Sequence, residues 1–297
     1  MPFIPPPDRA GRERILLYGG HGVGKSLSWI DVAMEMRKRG NEGKLYVLDT
    51  DAAVEDLFDE MWPEGRDMIE NWVVSDFEEL SEATVELLSH KPDSENGDFV
   101  VIDLISSVWE WVQEFYAEKV YGMTIEDYIT ETSTLIHAAK EAGEKGHERE
   151  FGDWKPGDWM HMKKIYLGWE RKLVLGGRGH VIACAEESEM NAFVTKDRDI
   201  KAYSGTGGGI GFRPRGQNSL GHRFRTVIRV QKTGVDQRGT ANRNLIMAKD
   251  RYREHRWNEL NEARAGNPAL ELGDSLGSPR RGFSHAYLKK IAKWRTA

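Results

Sequence analysis

Apolar residues fall in short blocks along the first third of the chain, each closed by glycine or a carboxylate. RILLY (Arg14 to Tyr18), LYVLD (Leu45 to Asp49) and FVVID (Phe99 to Asp103) have the length and continuity of strands buried on both faces. WVV (Trp72 to Val74) is a weaker run of the same kind. Between these blocks the period becomes helical. A helix from Lys25 carries Leu27, Ile30, Ala33 and Met34 on one side and stops at Gly40. Further helices are expected over Val54 to Met61 and over Phe77 to Leu88, the latter with Leu80, Val85 and Leu88 inward. Val108, Trp111, Val112, Phe115 and Tyr116 keep a helical period after FVVID. Strands alternating with helices predict an α/β fold, a mainly parallel sheet flanked by helices.

The regularity fails near Tyr121. His137 to Trp159 is charged and poorly periodic, which reads as an insertion or loop. A helix over about Met160 to Leu175 then leads into a strand, HVIACA (His180 to Ala185). Glu186 to Gly221 is a long segment around the run GTGGGIG, and connections this long are usually functional or disordered. RTVIRVQ (Arg225 to Gln231) and NLIMAKD (Asn244 to Asp250) predict a β-hairpin extending the sheet. The organisation expected is a lead-in over 1–13, one core over 14–251 and a basic tail over 252–297.

Composition narrows the class. The chain of 297 residues is 39% hydrophobic and 30% charged, with no apolar run long enough to span a bilayer. The lead-in MPFIPPPDRAGRER lacks the basic-then-apolar layout of a signal peptide. Cys184 is the one cysteine, so no internal disulfide forms, and its setting VIACA reads as packing. These features point to a reducing cytoplasm. The net charge of −6 hides an asymmetry, because Phe212 to Ala297 holds 19 Lys and Arg against 7 Asp and Glu. That separation suits either a polyanion or a solvated basic surface. The nine histidines show no metal-ligand spacing.

GGHGVGKS carries the strongest chemistry. Gly19, Gly24, Lys25 and Ser26 satisfy G-x-x-x-x-G-K-[ST] between an expected strand and an expected helix. In such a loop the backbone of Gly19, Gly20, His21, Gly22, Val23 and Gly24 wraps phosphate oxygens, and the helix start adds its positive end. Lys25 reaches the β- and γ-phosphates, and Ser26 ligates Mg²⁺. Asp103, at the carboxyl end of FVVID, is the candidate second holder of Mg²⁺. The guanine-selecting [NT]-K-x-D pattern fails, since Thr195-Lys196-Asp197 is followed by Arg198, so ATP is favoured over GTP. Asp49 and Asp51 lie on one side of a strand end, as catalytic or helix-capping acids.

From these motifs the chain resembles the RecA-like P-loop ATPases, and most nearly the small phage-encoded members that consist of the core alone. The resemblance covers roughly residues 14 to 251. It implies that Asp51 is the acid that activates water, one methylene shorter than the family's usual glutamate. It places Glu186 at the position of the γ-phosphate sensor, usually a glutamine. The loop that follows would bind single-stranded DNA through Lys196, Arg198, Lys201, Arg213 and Arg215. Lys249 and Arg251 match a basic pair that reaches a neighbouring subunit's ATP, so a homo-oligomer is implied. The function implied is Mg²⁺-dependent ATP hydrolysis in recombination, annealing or repair. A DNA motor and a non-enzymatic nucleotide switch are the alternatives. Trp154 and Trp159 could stack on bases or pin a loop, and pinning is the expectation.

Overall fold

The computed structural model describes residues 12–38, 40, 42–143, 156–189, 212–217, 220–235, 241–250 and 269–271. The strands are β1 (Arg14–Gly19), β2 (Leu45–Asp49), β3 (Ile69–Val73), β4 (Phe99–Asp103), β5 (His180–Glu189), β6 (Phe212–Pro214), β7 (Thr226–Val235), β8 (Ala241–Asp250) and β9 (Ala269–Glu271). The helices are α1 (Lys25–Lys38), α2 (Val54–Met61), α3 (Phe77–Ser89), α4 (Ser106–Tyr116), α5 (Ile125–Glu141), α6 (Pro156–Glu170) and the short α7 (Leu220–Arg223). The sheet order is β3-β2-β4-β5-β1-β7-β8-β9, with β6 paired to β5. From β3 to β7 neighbouring strands run parallel. The hairpin of β7 and β8, and then β9, adds an antiparallel margin. The expected class, α/β with a helix-flanked, mainly parallel sheet and a C-terminal hairpin, is the one observed.

Continuous apolar runs become central strands because both faces are covered. Ile15 and Leu17 join Val47, Val101, Ile182 and Ile228 under α1 and α2. Leu16 and Tyr18 join Leu48, Ile102, Ala183 and Val227 under α3, α4 and α6. Ile15, Leu16 and Leu17 are wholly buried, each gaining about 1.5–3 kcal/mol from leaving water.

The expectations fail where pattern gives way to tertiary contact. Val85 lies outward, because α3 turns Leu80, Ala83, Thr84 and Leu87 to the core. The segment read as a loop from His137 begins inside α5, and α6 starts at Pro156 rather than Met160. Proline at a first helical position is favoured, since its missing N–H has no partner to lose there. Residues 144–155, with Trp154, lie outside the described residues. Trp159 stacks on Trp109 at 5.7 Å against the core, but from within α6, so it pins a helix where the pinning of a loop was expected. Beside it the Asp158 carboxylate accepts hydrogen bonds from the hydroxyls of Tyr116 and Tyr121.

The return of the long segment to the sheet is fixed by a buried ion pair. Glu170, at the end of α6 and fully buried, contacts the Arg223 guanidinium of α7. Burial pushes the Glu170 carboxyl up to about 8 although Arg223 pulls it down. A folded value above the ordinary 4.5 means the charged form is disfavoured. The contribution of this site to stability is therefore greatest below about pH 4.5 and declines as pH rises to about 8. Removing Arg223 strands that charge. Arg223→Ala should cost about 1.4 kcal/mol more at pH 9 than at pH 6, because one unit above the folded value the carboxyl takes up a proton rather than stay charged and alone, read by denaturant unfolding at both values. Equal losses at both would contradict the assignment.

Candidate functional site

The carboxyl edge of the sheet collects most of the described residues singled out by motif. Register does this directly. Asp49 stands opposite Asp103, Asp103 opposite Cys184, and Gly19 opposite Glu186. Because β5 runs between β1 and β4, Glu186 emerges between the glycine-rich loop and Asp103.

The loop needs its glycines for two separate reasons. At Gly19 a Cβ would stand 2.3 Å from the Val230 carbonyl oxygen, so β1 and β7 approach too closely for a side chain. Gly22 and Gly24 have φ of 66° and 93°, backbone that other residues adopt only under strain. Lys25 folds back over the turn. Its ammonium donates to the carbonyl oxygens of Gly19 (3.0 Å) and Gly20 (2.9 Å), and the side chain is nearly buried. His21 is exposed at the tip, while Val23 packs into the core beneath α1.

Facing the loop is a carboxylate almost wholly out of water. Asp103 is 1% exposed, and its Oδ2 accepts the indole N–H of Trp29 at 2.8 Å. Its Oδ1 is buried with no hydrogen-bond partner. Burial pushes the carboxyl up, while Trp29, Ser26 and Lys25 hold it down. An open carboxylate oxygen beside a serine hydroxyl is a pair of oxygen donors that fits Mg²⁺. Among the described residues no three His, Cys, Asp or Glu side chains group as a metal cage. A cation here would take its remaining ligands from phosphate oxygens and water.

The two acids after β2 divide the roles that the sequence left open. Asp49 is fully buried, and its carboxylate accepts the backbone N–H groups of Asp51 and Val54, anchoring the start of α2. Asp51 stands exposed at the rim. Partial burial, a hydrogen bond to Asp49 and the nearby charge of Asp103 push its carboxyl up to about 6. Thr50 locks the segment in place: its hydroxyl accepts from the Leu104 N–H and donates to the Leu104 carbonyl.

Glu186 is clasped. Its carboxylate takes the Arg215 guanidinium at 2.6 Å and lies 3.4 Å from the His21 ring. Arg215 also bonds Glu110 of α4 at 2.6 Å, so the arginine expected on DNA holds two carboxylates while about half of its side chain stays exposed. Arg213 lies on β6, opposite Ser188. Lys249 lies on β8 opposite Val227. Lys196, Arg198, Lys201 and Arg251 fall outside the described residues.

Several participants carried no motif. Trp29 follows Lys25 by one helical turn, a spacing that could have flagged it. Cys184 abuts Asp103, so its thiol borders the site rather than only filling the core; burial and Asp103 push its pKa far up. Arg229 bonds Glu187 at 2.8 Å and lies over the Phe212 ring at 4.0 Å, tying β6 to the sheet.

No protein-family model matches this chain, and no curated protein matches it by sequence. Among solved structures it is similar to the RadB recombinase, at 15% identity and a TM-score of 0.40 over 81% of this chain and 82% of that one. It is also similar to the KaiC-like protein PH0186 from Pyrococcus horikoshii OT3, at 14% identity and 0.41 over 82% and 81%.

The glycines separate by cause, and so should their substitutions. Gly22→Ala meets open space and pays only for its backbone, about 1–2 kcal/mol. Gly19→Ala must push two strands apart and should lose more stability than that, as measured by denaturant unfolding. Equal losses would mean the β1–β7 approach is not a constraint.

Proposed function

We propose that this chain is a RecA-like, Mg²⁺-dependent ATPase that works as a homo-oligomer on single-stranded DNA, in recombination, annealing or repair. The observation that carries the reading is the glycine-wound loop with Lys25 and Ser26 at its helix start, facing the buried Asp103 with its orphaned oxygen.

Ser26 and Asp103 would hold Mg²⁺, which when bound neutralises charge on the β- and γ-phosphates. The chain's own groups do the rest. Lys25 exchanges the Gly19 and Gly20 carbonyls for phosphate oxygens and keeps its ammonium on the transferring group. Asp51, raised to about 6 and reachable from solvent, orients a water and accepts its proton at a carboxylate oxygen. Glu186 would respond to the γ-phosphate, a role supported by its register with Gly19 and its contacts with His21 and Arg215. Lys249 and Arg251 would stabilise the transition-state charge in a neighbouring subunit's site.

The decisive experiment compares phosphate release with and without single-stranded DNA while the protein is sized. Lys25→Ala should abolish ATP binding or turnover and leave the fold intact. Asp51→Asn should keep ATP binding and slow turnover by roughly 10²-fold or more. Wild-type rates in either variant would refute the role given to that residue. Turnover accompanied by translocation would instead favour a DNA motor.

Two further outcomes test assembly and substrate. Lys249→Ala protein mixed with Lys25→Ala protein should regain activity, because each supplies what its neighbour lacks. No rescue in proven mixed oligomers would exclude trans action. On DNA, affinity should fall steeply with salt, and changing Lys196 and Arg213 to alanine should flatten the log–log slope by about one unit per lost contact. A salt-independent affinity would remove the phosphate-contact reading.

A further inference from the structure

We propose that Trp29 is a positioning residue for the divalent cation: its indole N–H holds the Asp103 carboxylate in the one orientation that leaves Oδ1 for Mg²⁺. This rests on the nucleotide-binding reading above.

A carboxylate in a dry site is free to rotate about its last torsion unless its donors fix it, and besides Trp29 the Ser26 hydroxyl and the Cys184 thiol approach Asp103. The Trp29 Nε1–H···Oδ2 bond is 2.8 Å and buried, so Oδ2 is committed and Oδ1 is the oxygen left over. The donor itself cannot swing away. Trp29 is 1% exposed and its ring lies 5.8 Å from Phe58, within the core beneath α1 and α2.

The chemistry of the donor also matters. An indole N–H only donates, so it favours the ionised carboxylate and offers nothing extra to the protonated form. It does so without adding positive charge. An arginine or lysine at this position would also satisfy Oδ2, but it would repel a cation arriving at Oδ1. Trp29 and Ser26 belong to the same turn-and-a-bit of α1, so one rigid helix sets both the hydroxyl ligand and the orientation of the carboxylate. Outer contacts of this kind orient the groups that touch a metal, and their loss typically weakens metal affinity by 10- to 100-fold.

The test is Trp29→Phe, which keeps a ring against Phe58 and removes the N–H. ATP binding is followed by equilibrium titration over a series of free Mg²⁺ concentrations and in chelator. The Mg²⁺ concentration for half-maximal binding should rise about tenfold, with binding in chelator unchanged. In an Asp103→Asn background, Trp29→Phe should make no further difference to the Mg²⁺ requirement. A tryptophan that only fills space would lower the unfolding midpoint and leave that requirement where it was. Should Trp29→Phe fail to fold, Trp29→Met, a flexible filler with no donor, is held to the same expectation. An unchanged Mg²⁺ requirement, or a shift that persists without Asp103, overturns the positioning role alone. Wild-type protein that binds no ATP at any Mg²⁺ concentration overturns the nucleotide reading, and this proposal with it.

Discussion

The structure turns on one costly group, the carboxylate of Asp103, placed almost out of water at the centre of the sheet's carboxyl edge. A charge in that position is strongly disfavoured unless neighbours answer it. Here the answers are a neutral indole donor on one oxygen, with Ser26 and Lys25 close enough to favour the ionised form. They leave one oxygen without a partner. That oxygen lies beside Ser26 at the start of α1. Its place between that hydroxyl and the glycine-rich loop is the physical reason to look for a cation.

The surrounding architecture delivers this arrangement from distant parts of the chain. β4 carries Asp103, α1 carries Lys25, Ser26 and Trp29, and β2 brings Asp49 and Asp51 into register beside them. The intervening β5 sets Glu186 between loop and carboxylate. From Glu186 the contacts continue outward to Arg215 and Glu110, and β6 is tied down through Phe212 and Arg229. The base of the long segment is thus joined to the glycine-rich loop by a short chain of charged groups rather than by packing alone.

Much of this was legible in the sequence. The loop motif states its own backbone needs, and FVVID announces a buried strand ending in a carboxylate. Alternation even placed Asp49 and Asp51 together, though it could not say that Asp49 would be consumed by the start of α2 while Asp51 stayed at the rim. That division depends on which acid meets the Val54 N–H, a matter of local geometry. Trp29 escaped notice because an apolar residue on an amphipathic helix reads as core, and it is core; only its ring nitrogen has a second role. The ion pairs of Arg215 were not legible because its partners, Glu110 and Glu186, lie 105 and 29 residues away in sequence. α5 and the start of α6 were missed because charged, weakly periodic helices lean on tertiary contacts instead of propensity.

The central claim, that the loop and Asp103 together form a nucleotide site, is tested most directly by linkage. A ligand that binds only the folded protein raises its stability by about 2.7 kcal/mol at a hundred times its dissociation constant. The unfolding midpoint should therefore climb with ATP concentration when Mg²⁺ is present, and Asp103→Ala should remove the part of that climb that depends on Mg²⁺. A midpoint that ignores ATP, or a climb that Mg²⁺ and Asp103 do not influence, would contradict the account.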